Sequence, residues 1–152
     1  MASNYYRRLE NIRSAIKEDL EPIVSREYDH ILGLACVTAF NGIFEECWKL
    51  MRELLIEFYG YMNGDEAVGG PSNVIKTAYS VGLIRSNRWG KMLLDRNYTT
   101  HDYRNQNIEG YYRQVKDEYY KLILDFIAEV PAVIEKGILL NKEFEDTDKR
   151  EK

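Results

Sequence analysis

Apolar residues recur every three or four positions along most of this chain, with charged residues filling the gaps. That period is the signature of amphipathic helices. Tyr5, Leu9, Ile12, Ile16 and Leu20 make the first stripe, with Ser3 or Asn4 placed to cap it and Pro22 predicted to end it. A longer stripe follows through Leu32, Ala35, Phe40, Phe44, Cys47, Met51, Leu54 and Phe58. It predicts one long helix from about Asp29 to about Tyr61, stopped by Gly60, Asn63 and Gly64. Pro71 opens a short third helix through Val74, Ile75, Ala78 and Leu83, ending near Gly82. Ser86 is placed to cap a fourth, running through Trp89, Met92 and Leu93. Its predicted end lies at Arg96 to Tyr98, because the β-branched Thr99 and Thr100 continue helices poorly. Asn105 or Asn107 then caps a fifth helix carrying Ile108, Tyr112, Val115, Tyr119, Leu122, Phe126, Val130 and Val133, with a kink expected at Pro131. The pattern predicts an all-α, up-and-down bundle of about five helices. Residues 1–140 form a single domain, and 141–152 form a charged tail with almost no apolar residues, read as solvated or disordered.

Composition narrows the function. The chain has 152 residues, 45% hydrophobic and 30% charged, which suits one globular domain. Its net charge of -4 argues against a dedicated duplex-DNA binder. The residues from Met1 to Leu9 hold no apolar leader, and the run Ile31 to Phe44 is short for a bilayer and interrupted by Asn41. The expectation is a cytoplasmic protein without a membrane segment. Cys36 and Cys47 share one face of the second helix but lie roughly 16 Å apart along its axis. They read as two buried thiols rather than a disulfide. The tyrosines at 111, 112, 119 and 120 recur at helical spacing and read as core or interface.

Two histidines, His30 and His101, are the candidates for proton transfer near neutral pH. His30 reads as a helix-start residue. His101 follows Arg96 by five positions, within a short stretch where Arg85, Arg88, Lys91, Arg96 and Arg104 outnumber Asp95 and Asp102. A histidine that moves protons beside a guanidinium that holds phosphoryl oxygens suits metal-independent RNA cleavage. On a continuous helix, however, five residues leave two side chains about 140° apart. The chemistry therefore requires a helix break between them, which Thr99, Thr100 and the downstream asparagines are read as supplying. In the structural alternative, His101 caps a helix and Arg96 pairs with Asp95 or Asp102.

The run Arg96-Asn97-Tyr98-Thr99-Thr100-His101-Asp102-Tyr103 resembles the R-N-x-x-x-H-x-Y signature of HEPN domains. Phe44-Glu45-Glu46-Cys47-Trp48-Lys49 resembles the F-E-x-x-W-K helix of the nucleotidyltransferase substrate-binding proteins within that superfamily. The segment Pro71 to Ile84 resembles the stretch that precedes their signature helix, and the similarity spans roughly Leu9 to Phe126. The resemblance implies a four-helix-bundle core that pairs as a homodimer and works with a small nucleotidyltransferase. It implies a cytoplasmic RNase toxin with Arg96 and His101 catalytic, Asn97 and Tyr103 supporting, and no metal or cofactor. It marks Tyr103 as the residue that a partner antitoxin adenylylates. RNA or a nucleotide is the implied ligand. The alternative it leaves open is a non-catalytic subunit that binds substrate for a two-component nucleotidyltransferase.

Overall fold

In the computed structural model, residues 4–101 and 107–151 are described, apart from the side chains of Thr100, His101 and Glu151. These residues form five helical rods and no strand. The first rod joins α1 (Tyr5–Ala15) to α2 (Glu21–Val24) through a π-helical turn over Ile16–Leu20. The second is α3 (His30–Phe58), the third α4 (Pro71–Ser80) and the fourth α5 (Trp89–His101). The fifth joins α6 (Ile108–Gln114) to α7 (Tyr120–Glu151) through a second π turn over Val115–Tyr119.

Pro22 does not end the first rod. The π turn lets the Glu21 N–H reach back to the Ile16 carbonyl, which shifts the bonding register just before the proline. Its missing N–H then falls in the first turn of α2, where no intrahelical partner is needed. The cap of α3 is Asp29, whose carboxylate accepts the Leu32 N–H at 2.7 Å. Gly60 closes the far end with a φ of 83°, a backbone shape that favours glycine. α7 runs on through Pro131 to Glu151, where the sequence suggests a disordered tail. Residues 141–150 are exposed along it, and the spacings Glu145–Lys149 and Asp146–Arg150 support a solvated helix.

α3 is the central element and packs against α1, α4, α6 and α7. By length and composition alone it could cross a membrane. Within the bundle its apolar stripe is instead the core. Cys36, Phe40, Phe44, Cys47, Met51 and Leu54 are fully buried. Its other side carries ion pairs: Arg8 of α1 binds Glu46 at 2.6 Å and Glu53 at 2.8 Å. An aromatic chain ties the rods together. Phe44 lies 6.1 Å from Trp89 of α5, Trp89 meets Phe126 of α7 edge-on at 5.7 Å, and Phe40 stacks on Tyr119 at 5.7 Å. Tyr111, Tyr112 and Tyr119 are buried, so they belong to the core. Both cysteines are free and buried, and burial pushes the Cys36 thiol up to about 12.

Candidate functional site

α5 positions the candidate site. Ser86 starts the turn before it, its hydroxyl accepting the Arg88 N–H at 3.1 Å. Trp89, Met92 and Leu93 bury one face of the helix, while Leu94 and Tyr98 stand exposed on another. The helix does not stop at Arg96 to Tyr98; it continues to His101. Thr99 explains the difference. Its side chain is only 4% exposed, its hydroxyl donates to the Arg96 carbonyl at 3.0 Å, and it accepts from Asn41 of α3 at 3.1 Å. Asn41 in turn accepts from the Tyr111 hydroxyl at 2.8 Å, so one amide joins α3, α5 and α6. Burial pushes the Tyr111 phenol well above its ordinary range and keeps it a donor.

Arg96 sits on the α3 side of the helix. One of its terminal nitrogens donates to the Asn97 amide oxygen at 2.9 Å and the other pairs with the Glu45 carboxylate. The Arg96 side chain keeps 24% of its surface and that of Glu45 31%, so the pair lies at an edge that solvent reaches. The sequence offered Asp95 or Asp102 as partners for Arg96. Asp95 is otherwise engaged, accepting from Lys91 at 2.6 Å and from the Tyr119 hydroxyl. Asp102, Tyr103, Arg104 and Asn105 lie outside the described residues, as does the His101 side chain. The backbone at position 101 is described, and it falls about 140° around α5 from Arg96. The break that would let the two converge within one chain is therefore absent. His30 is an exposed residue at the start of α3.

The basic stretch is less free than its composition suggests. Arg85 pairs with Glu129, Arg88 with Glu118, Lys91 with Asp95 and Arg96 with Glu45. Beside it, a cleft of about 420 Å³ opens between α5 and α6, lined by Lys91, Tyr98, Asn107, Gly110, Tyr111 and Gln114 among others. Asn107 caps α6 by accepting the Gly110 N–H at 2.8 Å. Among the described residues, no three His, Cys, Asp or Glu side chains group to ligate a metal ion.

Sequence reasoning missed two residues of the site, Glu45 and Asn41. Both carried a signal. Glu45 is the acid of the F-E-x-x-W-K stretch, and Asn41 is the lone amide inside an apolar run. No curated protein matches the chain. A family model does match it over residues 2–130, under the description nucleotidyltransferase substrate binding protein like, and the chain belongs to that family.

Proposed function

We propose that this chain is a cytoplasmic, metal-independent endoribonuclease toxin, restrained by a partner nucleotidyltransferase and completed by pairing with a second copy. One observation supports the reading above others. α5 carries Arg96 on one side, oriented by Glu45 and Asn97 at a solvent-accessible edge, and position 101 of the same signature on another side. A two-fold pairing brings Arg96 of one copy to His101 of the next. In the reaction the RNA 2′-hydroxyl attacks the adjacent phosphorus, the 5′-oxygen leaves, and a 2′,3′-cyclic phosphate forms. His101 moves a proton to or from the reacting oxygens. Arg96 holds the non-bridging oxygens through the positive charge and planar fork of its guanidinium. Control falls on Tyr103. Its phenolic oxygen attacks the α-phosphorus of a nucleoside triphosphate held by the partner, and pyrophosphate leaves. The product is an anionic ester two residues from His101.

The purified chain, in chelator, is incubated with single-stranded RNA and the new ends are identified. Cyclic phosphate ends that vanish in His101→Ala and in Arg96→Ala are expected. Mixing those two inactive variants as heterodimers restores cleavage if the site is shared between copies. A folded, unmodified dimer that cuts nothing overturns the proposal.

A non-catalytic, substrate-binding subunit is the second reading. It is favoured by the acidic partner found on each described base from Arg85 to Arg96. Tight binding to the nucleotidyltransferase without cleavage or Tyr103 modification distinguishes it.

A further inference from the structure

The cleft between α5 and α6 is separate from the Arg96–Glu45 edge and has the make-up of a nucleobase site. At about 420 Å³ it falls within the ~300–1,000 Å³ range of small-ligand clefts. Tyr98 stands at its rim, 64% exposed. A flat ring left in water on a helix that otherwise buries its aromatic residue is an open stacking face. Gln114 lies in the lining, exposed, and its amide has no protein partner among the described residues. An amide offers a donor and an acceptor side by side, the pattern that matches the N6/N7 edge of adenine. Asn107 spends its oxygen on the Gly110 N–H, and among the described residues its NH2 has no partner. Gly110 leaves that amide room, since a Cβ there would come within 2.6 Å of it.

Electrostatics favours a base over a bare anion. Lys91 is the cleft's cation, but it already pairs with Asp95 at 2.6 Å, and Asp95 is also bound by Tyr119. Among the described residues the polar lining is therefore close to neutral. Lys91 keeps 44% of its side-chain surface, enough to add one contact to a phosphate. Tyr98 and position 101 lie on neighbouring faces of one helix, about 4.5 Å apart along its axis. A base seated on Tyr98 thus carries its own phosphate toward the signature.

We propose that the Tyr98–Gln114 cleft binds one nucleobase, adenine best, of a nucleotide whose phosphate lies toward the α5 signature. The inference rests on the RNA-directed reading above and extends it to substrate choice.

The full chain carrying His101→Ala, to prevent cleavage, is titrated with AMP, UMP, hexa-adenylate and hexa-uridylate by calorimetry and amide NMR. The expected result is tighter binding of the adenine ligands, with shifts at Tyr98 and Gln114. Tyr98→Ala weakens it about tenfold, Tyr98→Phe retains it, and Gln114→Ala removes the preference for adenine. AMP binding as tight as hexa-adenylate identifies a free nucleotide as ligand; binding of the oligomer alone identifies an RNA strand. Absence of binding, or binding unchanged by Tyr98→Ala, overturns the inference. The two proposals fail separately. A chain that binds hexa-adenylate through Tyr98 but never cuts RNA keeps the cleft and loses the nuclease. An active nuclease whose KM for RNA ignores Tyr98→Ala keeps the nuclease and loses the cleft.

Discussion

Replacing Asn41 by alanine removes an amide that joins α3, α5 and α6. Asn41 donates to Thr99 at 3.1 Å and accepts from Tyr111 at 2.8 Å. Two such hydrogen bonds contribute about 1 kcal/mol each, and an orphaned buried hydroxyl costs about 1–3 kcal/mol more. The hydroxyl left behind is that of Tyr111, which is 7% exposed, so the penalty applies. Asn41→Ala should therefore destabilise the fold by about 3–5 kcal/mol. With a urea m-value of about 2 kcal/mol/M, the unfolding midpoint falls by about 1.5–2.5 M. The same arithmetic fixes the double mutant. In Tyr111→Phe the hydroxyl is already gone, so a subsequent Asn41→Ala leaves nothing orphaned on that side. The two losses should fall short of additivity by about 1–2 kcal/mol. Burial holds the Tyr111 phenol protonated, so this coupling should be the same at pH 6.5 and pH 8.5. Strict additivity, or a single-mutant loss below about 1 kcal/mol, would show that the amide does not organise the signature helix.

Three further outcomes follow from packing and protonation. Gly33→Ala should cost about 1–3 kcal/mol in urea unfolding, because its Cβ would lie 2.7 Å from both Ile108 and Tyr28 where α3 meets the start of α6; an unchanged midpoint would contradict that close approach. Stability should fall as pH rises above about 10. Burial raises the phenols of Tyr111 and Tyr119, the latter also through Asp95. Their contribution is complete below the unfolded value near 10, then is lost as the unfolded chain releases protons that the native chain retains. Tyrosinate absorbance and helix loss should appear together, and free tyrosinate in an intact helix bundle would refute it. Finally, burial raises both thiols, Cys36 to about 12 and Cys47 further, so neither should react with a thiol reagent at pH 8 until urea unfolds the chain.

The rods were legible in the sequence because each carries a stripe that reports which side is buried. Asn107, Asp29 and Gly60 marked real ends for the same local reason. The errors lie where a distant partner outweighs a local preference. Thr99 costs at most about 0.7 kcal/mol as a helix residue, yet it gains burial and a hydrogen bond from Asn41, 58 positions away. No window around Thr99 contains that information. Arg96 repeats the pattern. Two carboxylates lie close to it in sequence, but its partner is Glu45, 51 positions away. The signature itself was legible, and what holds it was not.

The continuity of α5 also constrains how any second copy must approach. Taking Arg96 as zero, Asn97 falls near 100° around the helix and position 101 near 140°. Leu94 and Tyr98 fall near 160° and 200°, beyond position 101 and far from Arg96. The short arc between the two signature positions is thus the one that holds Asn97. A partner seated squarely on Leu94 and Tyr98 would meet position 101 and leave Arg96 behind the helix. A partner along the Asn97 arc would meet both. Asn97 accepts a hydrogen bond from the Arg96 guanidinium through its amide oxygen, and on the proposed reading the arc it occupies is the seam for a shared phosphate. On that reading the exposed Leu94–Tyr98 side stays outside the seam between the copies.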